Sequence, residues 1–252
     1  MVLLAIQCGE VCFPQIAAIL WDKDGTLADS HIFLQELAHQ RSHALNQHVP
    51  GIYDELMVVF GCGDGQCGPA GLMAVGTRYE NEVAAAAYVA ATGQSWTDSL
   101  TLAQTAFAEC DRALSNKADL TSPFTGIPEL LQQASAMGLK QAVLSGDSTP
   151  NIHKFLKRYG LASLVEWVAG SEAPPVKPDP QMVWTACERL GVAPKHCLVV
   201  GDSGHDGELA RRSNCQGFIS VTWGGSPAIA GADAVLSKPQ ALQFLSRQSL
   251  SR

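Results

Sequence analysis

Residues 16–26 read IAAILWDKDGT. Six apolar residues run without alternation into two aspartates separated by one lysine, and then into Gly25 and Thr26. A short unbroken apolar run that ends in a Gly-containing turn reads as a strand buried on both faces. Strands of that kind belong to parallel sheets covered by helices. Further runs of the same type stand at 141–145 (QAVLS), 164–169, 196–201 (HCLVVG), 217–222 (GFISVT) and 232–236. Helical stretches lie between them at 128–137, 150–159, 180–190 and 205–213. Thr149 before Pro150 and Asp179 before Pro180 read as cap residues followed by proline at the first helical position. Strands alternating with short helices predict an α/β fold, a doubly wound parallel sheet with helices on both faces.

From residue 29 to residue 121 that alternation stops. The pattern is helical at 31–46, 77–92 and 100–114, with a glycine-rich piece at 61–76 and no strand signal. We expect an all-helical domain, 29–121, inserted in an α/β core made of 15–28 and 122–252. Residues 1–14 fit no part of this pattern; they lack a basic start and carry Glu10, so they do not read as a signal peptide.

The chain has 252 residues, 46% of them hydrophobic and 16% charged, which excludes a disordered chain. A formal net charge of −7 argues against a broad grip on nucleic acid or an anionic membrane. No apolar stretch approaches the roughly 18 residues of a membrane span. Eight cysteines (8, 12, 62, 67, 110, 187, 197 and 215) lie mostly in apolar runs and contain no CxxC pair. They are expected to be reduced, buried thiols, as in a cytoplasmic enzyme. Cys62 and Cys67 lack two further ligands at zinc-site spacing.

Parallel α/β sheets bind ligands at the carboxyl ends of their strands. Asp22, Asp24 and Thr26 follow the first run. Ser145, Gly146 and Asp147 follow the second. Lys177 lies beyond the third, and Asp202 and Asp206 follow the fourth. Carboxylates that converge need a cation to stay ionised, and an all-oxygen set suits Mg²⁺. The hydroxyl, the lysine and turn N–H groups are donors for a phosphoryl group. An aspartate can be phosphorylated as a nucleophile, while a second carboxylate two residues on serves as acid and base. Phosphoryl transfer from a monoester follows from these residue types.

Four ordered motifs, ILWDKDGTLADS, AVLSGDS, VKPDP and LVVGDSGHDGELA, resemble those of the haloacid-dehalogenase-like (HAD) hydrolases with an inserted helical cap, the phosphoglycolate phosphatase and β-phosphoglucomutase-like group. The resemblance runs from residue 16 to residue 224. It implies that Asp22 is nucleophile and metal ligand, and that Asp24 is the general acid/base and gives its backbone carbonyl to Mg²⁺. It implies that Ser145 and Gly146 hold the phosphoryl oxygens, that Lys177 neutralises charge and that Asp202 ligates the metal. Asp206 supports that site or orients Lys177, and Thr26 braces the loop. The substrate implied is a small phosphorylated metabolite, and the enzyme a cytoplasmic monomer or homodimer.

Some residues depart from the motif or fall outside it. Asp147 is an extra anion beside the phosphate turn; it reads as a helix-start carboxylate, or as selection against doubly anionic substrates. Gly207 stands where the family often has an aliphatic residue. His31, His39 and His43 read as helix-surface histidines. Arg41, Arg78 and Glu80 read as solvated charges, with substrate contact as the alternative. The competing functions are a phosphomutase of the β-phosphoglucomutase type and, from another class, a non-catalytic phosphate-binding or receiver-like protein. The presence of Asp24 disfavours a dehalogenase.

Overall fold

Ala18, Ile19, Leu20 and Trp21 are all buried, the pattern of a strand covered on both faces. The computed structural model describes residues 3–64, 66–114 and 116–245. In it the strands are β1 (Leu4–Cys8), β2 (Val11–Ile16), β3 (Ala18–Trp21), β4 (Ala28–Asp29), β5 (Ser122–Pro123), β6 (Lys140–Leu144), β7 (Trp167–Ala169), β8 (Cys197–Gly201), β9 (Gly217–Val221), β10 (Ala234–Leu236) and β11 (Leu242–Leu245). The helices are α1 (His31–His48), α2 (Tyr53–Val59), α3 (Leu72–Val75), α4 (Arg78–Ala91), α5 (Trp96–Ala113), α6 (Ile127–Ala136), α7 (Thr149–Arg158), α8 (Gln181–Leu190) and α9 (Gly204–Ser213).

The main sheet is six-stranded, in the order β10-β9-β8-β3-β6-β7, and its pairings are parallel. This is the doubly wound α/β architecture expected from the alternating runs. β3 sits centrally, with β8 on one side and β6 on the other, which brings three of the motif-bearing strand ends side by side. Apolar layers cover both faces. Ile19, Trp21, Val143 and Val200 pack with Leu130, Leu131, Ile152 and Phe155 on one face. On the other, Leu20, Leu144 and Val199 pack with Met182, Val183 and Leu209. The buried Trp21 donates its indole N–H to Gln141 Oε1 at 3.0 Å, so the strand that delivers Asp22 is tied to β6 by side chain as well as by ladder.

Residues 1–14 were not placed by the alternating pattern. The described part of them forms β1 and β2, which with β11 make a second, antiparallel sheet in the order β11-β1-β2. The helix starts also shift from their expected positions. Ser148, not Thr149, caps α7 by accepting from Asn151 N, which leaves Pro150 inside the first turn. Pro180 itself takes the cap position of α8, and Asp179 accepts from Gln181 N at 2.9 Å.

The chain divides into two units, Met1–Asp29 with Ser122–Arg252, and Ser30–Thr121. The second is helical and has its own core around Phe60, Phe107, Leu45 and Val89. Its α2 and α3 were not apparent in the sequence. Two expectations are corrected there. Cys62 and Cys67, both buried, are joined in a disulfide, whereas reduced thiols were expected; their Cα atoms stand 4.0 Å apart. Arg41 is no solvated charge: it is 5% exposed, donates to Asp111 at 3.1 Å and lies over the Phe107 ring at 4.2 Å. Arg78 pairs with Glu82 at 2.7 Å and also with Asp111. His39 shares a hydrogen bond with Tyr53.

Candidate active site

The β3 ladder runs into the site through Asp22, whose N–H donates to Val200 O at 2.8 Å. The chain then turns tightly. Gly25 N donates to Ala28 O, while Leu27 N and Ala28 N both donate to Lys23 O. Gly25 holds a φ of +83°, and a Cβ there would lie 2.1 Å from Asp202 Oδ2. Only glycine combines that left-handed backbone with that close approach. The hydroxyl of Thr26 is buried and makes no hydrogen bond among the described residues, so bracing runs through its carbonyl, which accepts from Trp223 Nε1 at 2.8 Å.

Asp22, Asp202 and Asp206 converge. Each offers one oxygen, and these lie within 4.8 Å of one another. Lys177 donates to Asp22 Oδ1 and to Asp206 Oδ1, at 2.6 Å each. Asp206 also receives Ser203 N and Oγ on its other oxygen, at 3.1 and 2.6 Å, in a capping box that starts α9. Ser226 Oγ donates to Asp202 Oδ2 at 2.7 Å. The Ser203 and Ser226 contacts carry no motif signal; Ser203 was detectable only as a cap residue three positions before Asp206.

Charge crowding shows in the titration behaviour. Burial pushes the Asp22 carboxyl up to about 8, against the pull of Lys177 and with Asp206 and Asp202 adding to the rise. Burial likewise raises Asp202 to about 6, opposed by the Ser226 hydrogen bond. Burial would lower Lys177, but Asp206 and Asp22 more than offset it and hold it above its ordinary value. Three carboxylates and one ammonium leave an excess of negative charge in a buried place. That donor set, all oxygen, fits a hard divalent cation.

Ser145 is buried at the end of β6, where its N–H donates to Ala169 O and its Oγ accepts from Asp147 N at 3.1 Å. A Cβ at Gly146 would meet nothing within 4 Å, so that backbone faces open space. Asp24 is partly exposed, and its Oδ1 lies 2.5 Å from the Lys23 amine. Lys23 was missed as a site residue: between two aspartates it reads as loop, yet it is among the largest fully buried side chains. Gly207 packs against Phe218, whose ring would lie 3.1 Å from a Cβ, so an aliphatic residue there would crowd the helix against β9.

A family model described as haloacid dehalogenase-like hydrolase matches residues 16–214. The chain belongs to that family. A phosphoglycolate phosphatase of Thiobacillus denitrificans is 39% identical to this HAD-like hydrolase over 97 residues, which are 38% of this chain and 43% of the relative. An N-acetylmuramic acid 6-phosphate phosphatase of Pseudomonas aeruginosa is 30% identical over 138 residues, 52% of this chain and 61% of the relative. The HAD-like chain thus spans about half the length of these curated relatives. A crystal structure described as a predicted phosphoglycolate phosphatase from Haemophilus somnus superposes with a TM-score of 0.66 at 23% identity, covering 89% of this chain and 95% of that one. It shares the HAD fold. Among the described residues no helix is long and apolar enough to cross a membrane.

Proposed function

We propose that this chain is a Mg²⁺-dependent phosphatase that hydrolyses a small phosphate monoester through an aspartyl-phosphate on Asp22. The observation that carries the reading is Lys177 bridging Asp22 and Asp206 beside Asp202, with Asp24 two residues on and Ser145 at the neighbouring strand end. The carboxylates of Asp22 and Asp202 and the carbonyl of Asp24 would hold the cation, with Asp206 fixing Lys177. When bound, the cation neutralises the carboxylates and the phosphoryl oxygens.

Ser145 Oγ and the Gly146 N–H hold the transferring phosphoryl group in line with Asp22. Lys177 opposes the burial that raises the Asp22 carboxyl and stabilises charge on the phosphoryl oxygens. An Asp22 oxygen attacks phosphorus, the bond to the ester oxygen breaks, and protonated Asp24 delivers its proton to that leaving oxygen. Asp24, now a carboxylate, takes a proton from water as the water oxygen attacks phosphorus. Asp22 departs, and inorganic phosphate and the alcohol are the products. Residues 29–121 act as the substrate-selecting cap, because every group named here lies outside them.

The relatives' names, phosphoglycolate and an N-acetylmuramic acid 6-phosphate, set the first substrates to try. Incubation of the protein and Mg²⁺ with a panel of phosphorylated metabolites, including these two and an aryl phosphate, is expected to release inorganic phosphate. No release from any ester contradicts the reading.

A further inference from the structure

The geometry points to Lys23 and Asp147 as a buried positioning pair that joins the acid/base aspartate to the phosphate-binding turn and cancels an anion carried by that turn. This rests on the phosphatase reading above. Lys23 is 1% exposed. Its amine lies 2.5 Å from Asp24 Oδ1 and 3.0 Å from Asp147 Oδ2, and 5.6 Å from the centre of the Phe155 ring in α7. A buried ammonium is stable only where partners compensate it. Here the two partners come from the loops after β3 and β6, the two loops that supply the acid/base and the phosphate binders.

Asp147 belongs to the turn itself. Its N–H donates to Ser145 Oγ, its carbonyl accepts from Ser171 N at 2.9 Å, and its Oδ1 accepts from Ser148 N at 2.8 Å and Asn151 Nδ2 at 2.9 Å. The carboxylate is therefore fixed two residues from the hydroxyl that would hold a phosphoryl group. A negative charge there repels a phosphate dianion unless a cation sits against it. Lys23 is that cation. The extra aspartate of the second motif and the lysine inside the first thus belong to one device, with the ammonium set against the Asp147 carboxylate at 3.0 Å.

Lys23 then does two separable things. Neutralising Asp147 acts on phosphate binding. Holding the Asp24 carboxylate acts on proton transfer, and so on turnover. A merely structural ion pair would do neither selectively.

The test compares Lys23→Met, which keeps the apolar stem and removes the charge, with Lys23→Met/Asp147→Asn, which removes both charges. Affinity for inorganic phosphate is measured by calorimetry in Mg²⁺, and kcat and KM with an aryl phosphate. Lys23→Met is expected to weaken phosphate binding and raise KM, each by about tenfold, the effect of one nearby unscreened charge. Adding Asp147→Asn is expected to restore phosphate affinity and KM while kcat stays about tenfold low. Wild-type phosphate affinity in Lys23→Met, or a double variant that binds phosphate as poorly as the single one, overturns the pairing. If Lys23→Met does not fold, the double variant decides: near-wild-type phosphate affinity with reduced kcat supports the pair, and full kcat overturns it. If the wild-type protein releases no phosphate from any ester, the phosphatase reading fails, and the phosphate affinities still decide whether Lys23 neutralises Asp147.

Discussion

The Lys177 ammonium donates to Asp22 Oδ1 at 2.6 Å, joining two residues 155 positions apart in the sequence. The same nitrogen reaches Asp206 at 2.6 Å, so the lysine is fixed from both sides and cannot follow a drifting carboxylate. Lys177→Met is expected to lower kcat/KM by about 10²–10³-fold, the loss typical of one preorganised electrostatic donor. Lys177→Arg is not expected to restore it, because a planar fork does not fit a point between two carboxylates. Steady-state kinetics on folded variants check this, and wild-type kcat/KM in Lys177→Met contradicts it.

Metal binding and pH are coupled through the buried carboxylates. Asp22 is raised to about 8 and Asp202 to about 6, both above the unfolded carboxylate value of roughly 4. The folded chain therefore keeps protons that the unfolded chain has released. Stability from these groups is full below about pH 4 and is lost as pH rises through 6 and then 8. A cation replaces those protons and stabilises most where they are gone. Thermal melts are expected to show a larger rise in Tm on adding Mg²⁺ at about pH 8 than at about pH 5. An equal or larger rise at the lower pH contradicts this cluster as the metal site.

Gly25→Ala should damage the site without removing any ligand. Its φ of +83° and the 2.1 Å approach of a Cβ to Asp202 Oδ2 force either the turn or the carboxylate to move. The backbone cost alone is about 1–2 kcal/mol. Mg²⁺ affinity measured by calorimetry is expected to fall with it. Unchanged affinity would show that the turn tolerates the methyl group.

Arg41→Ala is expected to act on folding and not on substrate choice. The guanidinium is buried between the part-exposed Asp111 and the Phe107 ring, and truncating it removes that packing and a charged hydrogen bond while Asp111 keeps Arg78, a loss of about 1–3 kcal/mol. The Tm should drop, while kcat/KM per folded molecule should change equally for an aryl phosphate and the best metabolite. A change that separates the two substrates contradicts this.

The parallel sheet was legible because its strands are covered on both faces and so read as unbroken apolar runs. The site was legible because Asp22, Asp24, Ser145 and Asp202 each follow such a run within a few residues. What escaped the reading depends on distant partners. β1 pairs with β11 from the far end of the chain, and β2 contains Pro14, which is poor strand sequence. Arg41 looks like any helix charge until Asp111, seventy positions on, is placed against it. Lys23 looks like loop because its partner Asp147 lies on another strand end. The Cys62–Cys67 bond has no spacing signature, and only the fold brings the two together.

Covalent capture of the phosphoryl group on Asp22 tests the mechanism most directly. The protein, mixed with Mg²⁺ and excess substrate, is quenched in acid during turnover, digested and examined by mass spectrometry. The peptide carrying residues 16–26 is expected to gain the mass of one phosphoryl group on Asp22, removable by hydroxylamine and absent from Asp22→Asn. Turnover with no phosphoryl group on Asp22, or undiminished turnover in a folded Asp22→Asn, contradicts Asp22 as the nucleophile.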